Sequence, residues 1–409
     1  MTQDQALTHL KGDSNIFLTG EPGSGKSYLT NKYIKWLLLN GKNPAITAST
    51  GIAALQLNGR TLHSWSGVRN DNDITTEDMQ EITTNYFVRK TITNTDVLII
   101  DEVSMISPRL LEIVNAIAIK VKGANKPFGG IKVVFVGDFF QLPPVHRGQN
   151  PPYAFESPVW EALNLTTCYL TEQHRTNDTQ FVEILRGIRT GTLTEQQKQV
   201  IRSRLVVDAT EIDAIRLDTH NDKVDKINET HLFMHEGAPQ TYVMKEGGNA
   251  KLVPALKKSC MSPERLTLKV GVKVMFTKND RDMRWVNGTR GVVVELHDEH
   301  VIVDVNGSTY DVKAATWEFA DGYGKNKTTK AYVEQIPLRL AYAITVHKSQ
   351  GMTLDSAVID CSRAFACGHG YVAVSRVRSL DGLHFQGKLT QGTFAIDKRV
   401  RAFDKKIRV

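Results

Sequence analysis

Gly20-Glu21-Pro22-Gly23-Ser24-Gly25-Lys26-Ser27 follows the apolar run Asn15–Thr19 and leads into the helical stretch Tyr28–Leu39. A strand, a glycine-rich loop and a helix in that order make a phosphate-binding loop, because each part has a physical task. The glycines let backbone N–H groups curl around phosphate oxygens, and the helix N-terminus adds partial positive charge. Lys26 is expected to bridge the β- and γ-phosphates of ATP, and the Ser27 hydroxyl to ligate Mg2+. Gly23, Ser24, Gly25 and the flanking Tyr28 complete the expected nucleotide cradle.

Downstream, Val97-Leu98-Ile99-Ile100 is a buried-type strand ending in Asp101-Glu102. An apolar strand that ends in acids is often just a strand meeting solvent. Behind a phosphate loop, the same pair reads as a magnesium site at Asp101 and a water-orienting base at Glu102. Gln141, in Gly137-Asp138-Phe139-Phe140-Gln141-Leu142-Pro143-Pro144 after the strand Ile131–Val136, is placed to sense the γ-phosphate. Alternatively the two prolines merely close the domain.

Pro44–Ala48 adds another short apolar segment, and strands at this spacing predict a parallel α/β sheet with crossover helices. Residues 66–94 are polar and lack that rhythm, as a small insertion would. A second alternating region begins near Thr166 and includes the strand Ile215–Thr219. From about Lys269 to Val312 the pattern changes to period two, with turn pairs Asn287-Gly288 and Asn306-Gly307. That reads as a small barrel inserted into a second α/β domain, whose rhythm resumes at Leu338 and includes the strand Ala357–Asp360. The boundaries expected are 1–165 for the first domain, 166–230 with 336–409 for the second, and 231–335 for the inserted barrel.

The chain has 409 residues, 41% hydrophobic and 23% charged, which suits two or more folded domains. No apolar run nears the ~20 residues of a membrane span, and Met1-Thr2-Gln3-Asp4 lacks a signal-peptide pattern. The expectation is an intracellular protein. Cys168, Cys260, Cys361 and Cys367 form no CxxC pair, and Cys361, Cys367 and His369 do not have zinc-finger spacing, so packing is the default reading. Net charge is +7, and residues 331–409 hold twelve Lys or Arg against six Asp or Glu. The basic tail Lys398–Arg408 is either a solvated face or part of a polyanion groove.

These motifs have company along the whole chain. Ala48-Ser49-Thr50-Gly51-Ile52-Ala53-Ala54, Thr61-Leu62-His63-Ser64-Trp65 and Asp101-Glu102-Val103-Ser104-Met105 come first. Lys126-Pro127-Phe128-Gly129-Gly130-Ile131, Leu170-Thr171-Glu172-Gln173-His174-Arg175-Thr176, Leu340–Gly351 and Tyr371-Val372-Ala373-Val374-Ser375-Arg376-Val377 follow in order. Together they resemble the PIF-type (petite integration frequency) branch of superfamily 1 DNA helicases, in a compact bacterial or phage form.

The resemblance implies an α/β fold of two tandem RecA-like P-loop domains. It adds a wedge insertion at about 66–94 and an SH3-like β-barrel insertion in the second domain. It implies ATP and Mg2+ as cofactors, with Arg175 and Arg376 as the second domain's arginine fingers. Gln3, or its neighbour Gln5, would read adenine, and Gly351 would approach the nucleotide. Ser49, Thr50, His63, Thr345 and His347 would touch single-stranded DNA through groups that can let go at every step. Trp65, Tyr86, Phe87 and Trp285 would stack on bases or support strand separation, where core packing is the commoner fate of such residues. The implied activity is 5′-to-3′ unwinding of tailed or forked duplexes by a monomer in the bacterial or phage-infected cytoplasm, near the nucleoid. Its settings would be repair, recombination or telomere maintenance. G-quadruplexes and RNA–DNA hybrids are further candidate substrates. A DNA-stimulated ATPase that remodels protein without unwinding is the rival from another class.

Overall fold

The computed structural model describes residues 1–68, 74–144, 151–209, 211–280, 282, 284–321, 328–360, 362 and 367–408. Cys361, named above, lies outside them. The chain divides into two units: residues 1–193 with 365–371 and 394–409, and residues 194–364 with 372–393.

The first unit is built on six parallel strands: β1 (Ile16–Gly20), β2 (Pro44–Ala48), β3 (Arg60–Thr61), β4 (Val97–Asp101), β5 (Lys132–Val136) and β6 (Thr166–Leu170). They run in the order β3-β2-β4-β5-β1-β6. β1 is buried along its whole length, as expected of a central strand covered on both faces. The helix Lys26–Leu39 buries Leu29, Thr30, Tyr33, Ile34 and Leu37. These positions recur at three and four residues and form the stripe that packs on the core, where Leu29, Tyr33, Ile34 and Leu37 join β1 residues Ile16 and Leu18. The polar segment 66–94 contains two helices, Thr76–Thr84 and Tyr86–Thr93.

Two boundaries of the first unit differ from expectation. β6 pairs with β1 in parallel, Ile16 opposite Thr166 through Gly20 opposite Leu170. The first sheet therefore extends past residue 165 and takes the Leu170–Thr176 motif with it. The C-terminal helix Lys398–Ile407 likewise belongs to the first unit. Phe403 stacks on Phe155 with ring centroids 4.2 Å apart and lies within 6.1 Å of Phe17. This packing also answers the charge of the tail. Arg399 bonds Asp397 and Glu156, Arg401 reaches the Thr190 carbonyl, and Arg408 bonds Asp404. Much of the basic tail is thus tied to its own unit.

The second unit has a parallel sheet of β7 (Leu205–Val206), β8 (Ile215–Asp218), β19 (Ala343–Thr345), β20 (Ala357–Asp360) and β21 (Leu383–Gln386), ordered β19-β8-β20-β21-β7. Between β8 and β19 the chain makes antiparallel β structure. β12 (Lys273–Phe276), β13 (Arg290–Leu296), β14 (His300–Val305), β15 (Ser308–Lys313) and β18 (Leu338–Leu340) form a five-stranded sheet, ordered β15-β14-β13-β12-β18. β9 (Gln240–Val243) pairs with β11 (Arg265–Leu268), and β10 (Lys245–Gly248), β16 (Ala315–Asp321) and β17 (Thr328–Gln335) make a further three-stranded sheet. β18 pairs with β12, Leu338 opposite Phe276. The residue at which the α/β rhythm was expected to resume therefore still belongs to the inserted module.

Candidate active site

The carboxyl ends of parallel strands are where open α/β sheets place ligands, and here that edge gathers the motifs of the first unit. β1 delivers the glycine loop, β4 the two acids, β5 the Gly137–Leu142 loop, and β6 the segment ending at Arg175. Gly23 and Gly25 take φ of +86° and +83°, a region that strains side-chain-bearing residues. The loop can close tightly for that reason, and Gly25 N-caps the helix without a side-chain bond. The Lys26 ammonium donates to the carbonyls of Gly20 at 2.8 Å and Glu21 at 3.0 Å.

Charges at this edge are set against each other. Burial lowers the Lys26 ammonium to about 8, and Asp138 is the largest charge opposing that shift, followed by Glu102. Burial, then the adjacent Glu102, pushes the Asp101 carboxyl up to about 7. Two crowded acids call for a cation, and a desolvated lysine beside a glycine-rich loop calls for a polyanion. The donor set fits magnesium and a nucleotide triphosphate. Ser24 Oγ is buried without a hydrogen-bond partner among the described residues, while Ser27, beside it, is exposed. Glu102 sits at φ +51°, ψ +47°, a strained conformation for a non-glycine residue of the kind that clusters at functional sites.

Gln3 lies directly on the loop. Its Nε2 donates to the Ser24 carbonyl at 3.3 Å, and a Cβ on Gly25 would collide with it. Gln5 instead accepts from Thr2 N–H and closes a capping box on its own helix. Between the two glutamines, contact with the loop therefore favours Gln3. Tyr28 is exposed on the first turn of the helix.

Arg175 is a correction. It was expected on the second domain, but because β6 lies beside β1 it follows directly on the first sheet. Gln173 donates to the Pro22 carbonyl at 3.0 Å, His174 N–H donates to Gly23 O at 2.9 Å, and a Cβ on Gly23 would meet Arg175 Cβ at 2.7 Å. Arg175 thus stands beside the phosphate loop in the same unit and contributes to lowering the Lys26 pKa. Arg376 is in the second unit and is buried. Its Nε donates to the Val372 carbonyl at 2.9 Å and its Nη2 to Ser375 Oγ at 2.8 Å.

The candidate strand contacts form two groups. In the first unit, β2 and β3 pair in parallel, Ala48 opposite Thr61, so Ser49-Thr50 and His63 leave neighbouring strand ends together. Ser49 N–H donates to the Asp101 carbonyl at 3.2 Å, which ties this group to the acid pair by one backbone bond. Ser49 Oγ is buried without a partner among the described residues, and Thr50 caps the next helix through Ala53 N–H. In the second unit, Thr345 ends β19, and Val346 N–H donates to the Asp218 carbonyl on β8. Thr345 Oγ1 accepts from Lys348 N–H at 3.3 Å, and burial lowers the His347 imidazole. Gly351, at φ +76°, closes that turn.

Of the aromatics, Trp65 is core, 1% exposed with its indole N–H on Thr95 Oγ1. Trp285 is also core, stacked on Phe276 with centroids 4.5 Å apart. Tyr86 and Phe87 are 67% and 68% exposed and make an edge-to-face pair on the inserted helix. Sequence reading missed the buried pair Asp138–Arg189, with Nη2 to Oδ1 at 3.0 Å. The only signal was a charged residue flanking the apolar run Phe139-Phe140.

Comparison with known proteins agrees with this architecture. Residues 4–199 match the family model described as PIF1-like helicase, and residues 251–296 match the one described as DNA helicase Pif1, 2B domain. The ATP-dependent DNA helicase Pif1 of Psychrobacter sp. is 37% identical over all of this chain and 71% of its own length. Bacteroides sp. Pif1 in complex with ADP-AlF4 superposes with a TM-score of 0.86 at 28% identity, covering 99% of this chain and 96% of that one. Bacteroides Pif1 bound to single-stranded DNA gives a TM-score of 0.69 at 29% identity, over 99% and 96% of the two chains. Two RecA-like domains with a 2B domain are therefore the fold, and the chain belongs to the PIF1-like helicase family, the ATP-dependent DNA helicases.

Proposed function

We propose that this chain moves 5′ to 3′ along single-stranded DNA and unwinds tailed or forked duplexes by hydrolysing ATP at the edge of the first sheet. In this reading Lys26 and the loop amides of Gly23, Ser24 and Gly25 hold the phosphates, Gln3 contacts adenine, and Tyr28 and Gly351 flank the nucleotide. Ser27 and Asp101 would hold magnesium, which when bound neutralises charge on the phosphates. Glu102 orients and deprotonates the attacking water, Gln141 senses the γ-phosphate, and Arg175 and Arg376 stabilise the charge that develops on it. Arg175 does so from the same unit as the phosphate loop.

The observation that carries the reading is the bond from Ser49 N–H to the Asp101 carbonyl. It joins the residues assigned to the DNA strand to the strand end that bears the acids. Ser49, Thr50 and His63 in one unit and Thr345 and His347 in the other supply the strand contacts, and the exposed Tyr86–Phe87 pair would part the strands. The Bacteroides relatives bound to ADP-AlF4 and to single-stranded DNA support both halves of the proposal.

The test compares unwinding of duplexes with 5′ or 3′ tails of DNA or RNA, on forked, G-quadruplex and RNA–DNA hybrid substrates. The 5′ DNA tail should be preferred. Preference for the 3′ tail would reject the polarity. Vigorous DNA-stimulated hydrolysis with no strand separation on any substrate would favour a remodeller instead.

A further inference from the structure

Asp138 is the one acid of the Gly137–Leu142 loop, and it is fully buried. Its carboxylate accepts from three sides. Arg189 donates through Nη2 at 3.0 Å and Nε at 3.4 Å, Phe140 through its amide at 3.2 Å, and Tyr371 through its hydroxyl at 3.3 Å. Arg189 also bonds Asp404 at 3.3 Å and lies over the Phe140 ring, 4.1 Å from its centroid. A buried ion pair adds little stability over a well-packed apolar pair, because desolvation cancels most of the attraction. What such a pair does supply is fixed geometry.

The geometry fixed here joins two motifs. Tyr371 lies in the helix His369–Val374, and Gly368, just before it, is pressed on the same loop. A Cβ at Gly368 would come within 2.6 Å of the Gln141 carbonyl and 2.8 Å of the Phe140 carbonyl. The residue after Tyr371 is Val372, whose carbonyl accepts from Arg376 Nε at 2.9 Å. Each link is a hydrogen bond, a close contact or a peptide bond.

We infer that Asp138, Arg189 and Tyr371 are positioning residues that carry the state of the Gln141 loop into the helix His369–Val374, whose Val372 carbonyl anchors Arg376. The inference rests on the roles proposed above for Gln141 and Arg376. A shift of the loop moves Asp138, Asp138 moves the Tyr371 hydroxyl, and the Val372 carbonyl repositions the guanidinium. None of the three need touch nucleotide or DNA.

Tyr371→Phe removes one hydrogen bond to a charged group and nothing else. It should lower kcat for DNA-stimulated ATP hydrolysis about tenfold. Affinities for a fluorescent ATP analogue and for single-stranded DNA should stay within about twofold. The control is Tyr169→Phe, which removes a hydroxyl that donates to Asp404 and accepts from Arg408, on the far side of Arg189. It should cost at least as much thermal stability and leave kcat unchanged. Because the relay runs through one carboxylate, Asp138→Asn with Tyr371→Phe should be no slower than Asp138→Asn alone. Wild-type kcat in Tyr371→Phe, an equal loss in Tyr169→Phe, or multiplicative losses in the double variant would each overturn the relay. Arg376→Ala separates the two layers. If it abolishes hydrolysis while Tyr371→Phe does nothing, the relay alone fails. If it hydrolyses normally, the assignment of Arg376 fails and the relay with it.

Discussion

Replacing Asp101 with Asn should stabilise this protein in the absence of nucleotide, although the position is assigned to the active site. The Asp101 carboxyl stands at about 7 against an ordinary 3.8, first because it is buried and second because Glu102 is adjacent. A group whose pKa is raised by folding binds more protons in the folded state between those two values. Its contribution to stability is complete below pH ~4 and is lost as pH rises to ~7. Three pH units at 1.36 kcal/mol each set an upper figure of about 4 kcal/mol. In a unit of roughly 200 residues, 1 kcal/mol moves Tm by about 2–4 °C, so the difference should be several degrees and at most about 15 °C. Asn keeps the shape and the acceptor for the Glu102 N–H while removing the charge. The assay is thermal unfolding from pH 5 to 8 without nucleotide, comparing wild type with Asp101→Asn. The difference between the two curves should open as pH rises, with the variant melting higher at pH 8. Magnesium with a non-hydrolysable ATP analogue should reverse the order, because only the wild type gains from the metal. Parallel curves, or a variant that melts lower at pH 8 without nucleotide, would refute the reasoning.

Gly25→Ala puts a methyl against Gln3 Nε2 at a backbone φ of +83°, and it should weaken binding of an ATP analogue at least about tenfold at equilibrium, a cost consistent with ~1–2 kcal/mol of left-handed strain plus the clash. Trp65→Ala should cost about 3–5 kcal/mol in chemical denaturation, as core aromatics do. The double change Tyr86→Ala with Phe87→Ala should stay within about 1 kcal/mol of wild type, yet slow unwinding of a 5′-tailed duplex while DNA-stimulated hydrolysis persists. The opposite pattern, a stable Trp65 variant beside an unfolded Tyr86–Phe87 variant, would reverse these assignments.

Local chemistry was legible in the residues alone. Gly20–Ser27 specify a loop because glycine conformations and a following helix are properties of adjacent residues. Pro44–Ala48 and Ala357–Asp360 match strands β2 and β20 residue for residue because a short apolar run has few other options. Period-two patterning likewise announced β12, β13 and β14. Which segments pair over long distances was not legible. That β6 lies beside β1, bringing Arg175 to Gly23, depends on strand order, and strand order has no local signature. Trp65 and Tyr86 look alike as residue types, and only packing buries one and exposes the other. The basic tail read equally as a solvated face or part of a polyanion groove, and only the fold shows Glu156, Asp397 and Asp404 answering Arg399 and Arg408. Asp138 and Arg189 are 51 residues apart, and nothing short of the folded core makes them partners. Motif spacing therefore determined the glycine loop between β1 and its helix and the acids at the end of β4, because each is a feature of adjacent residues. Tertiary structure decided which unit each arginine serves, because a charge acts through space on whatever the sheet order places beside it.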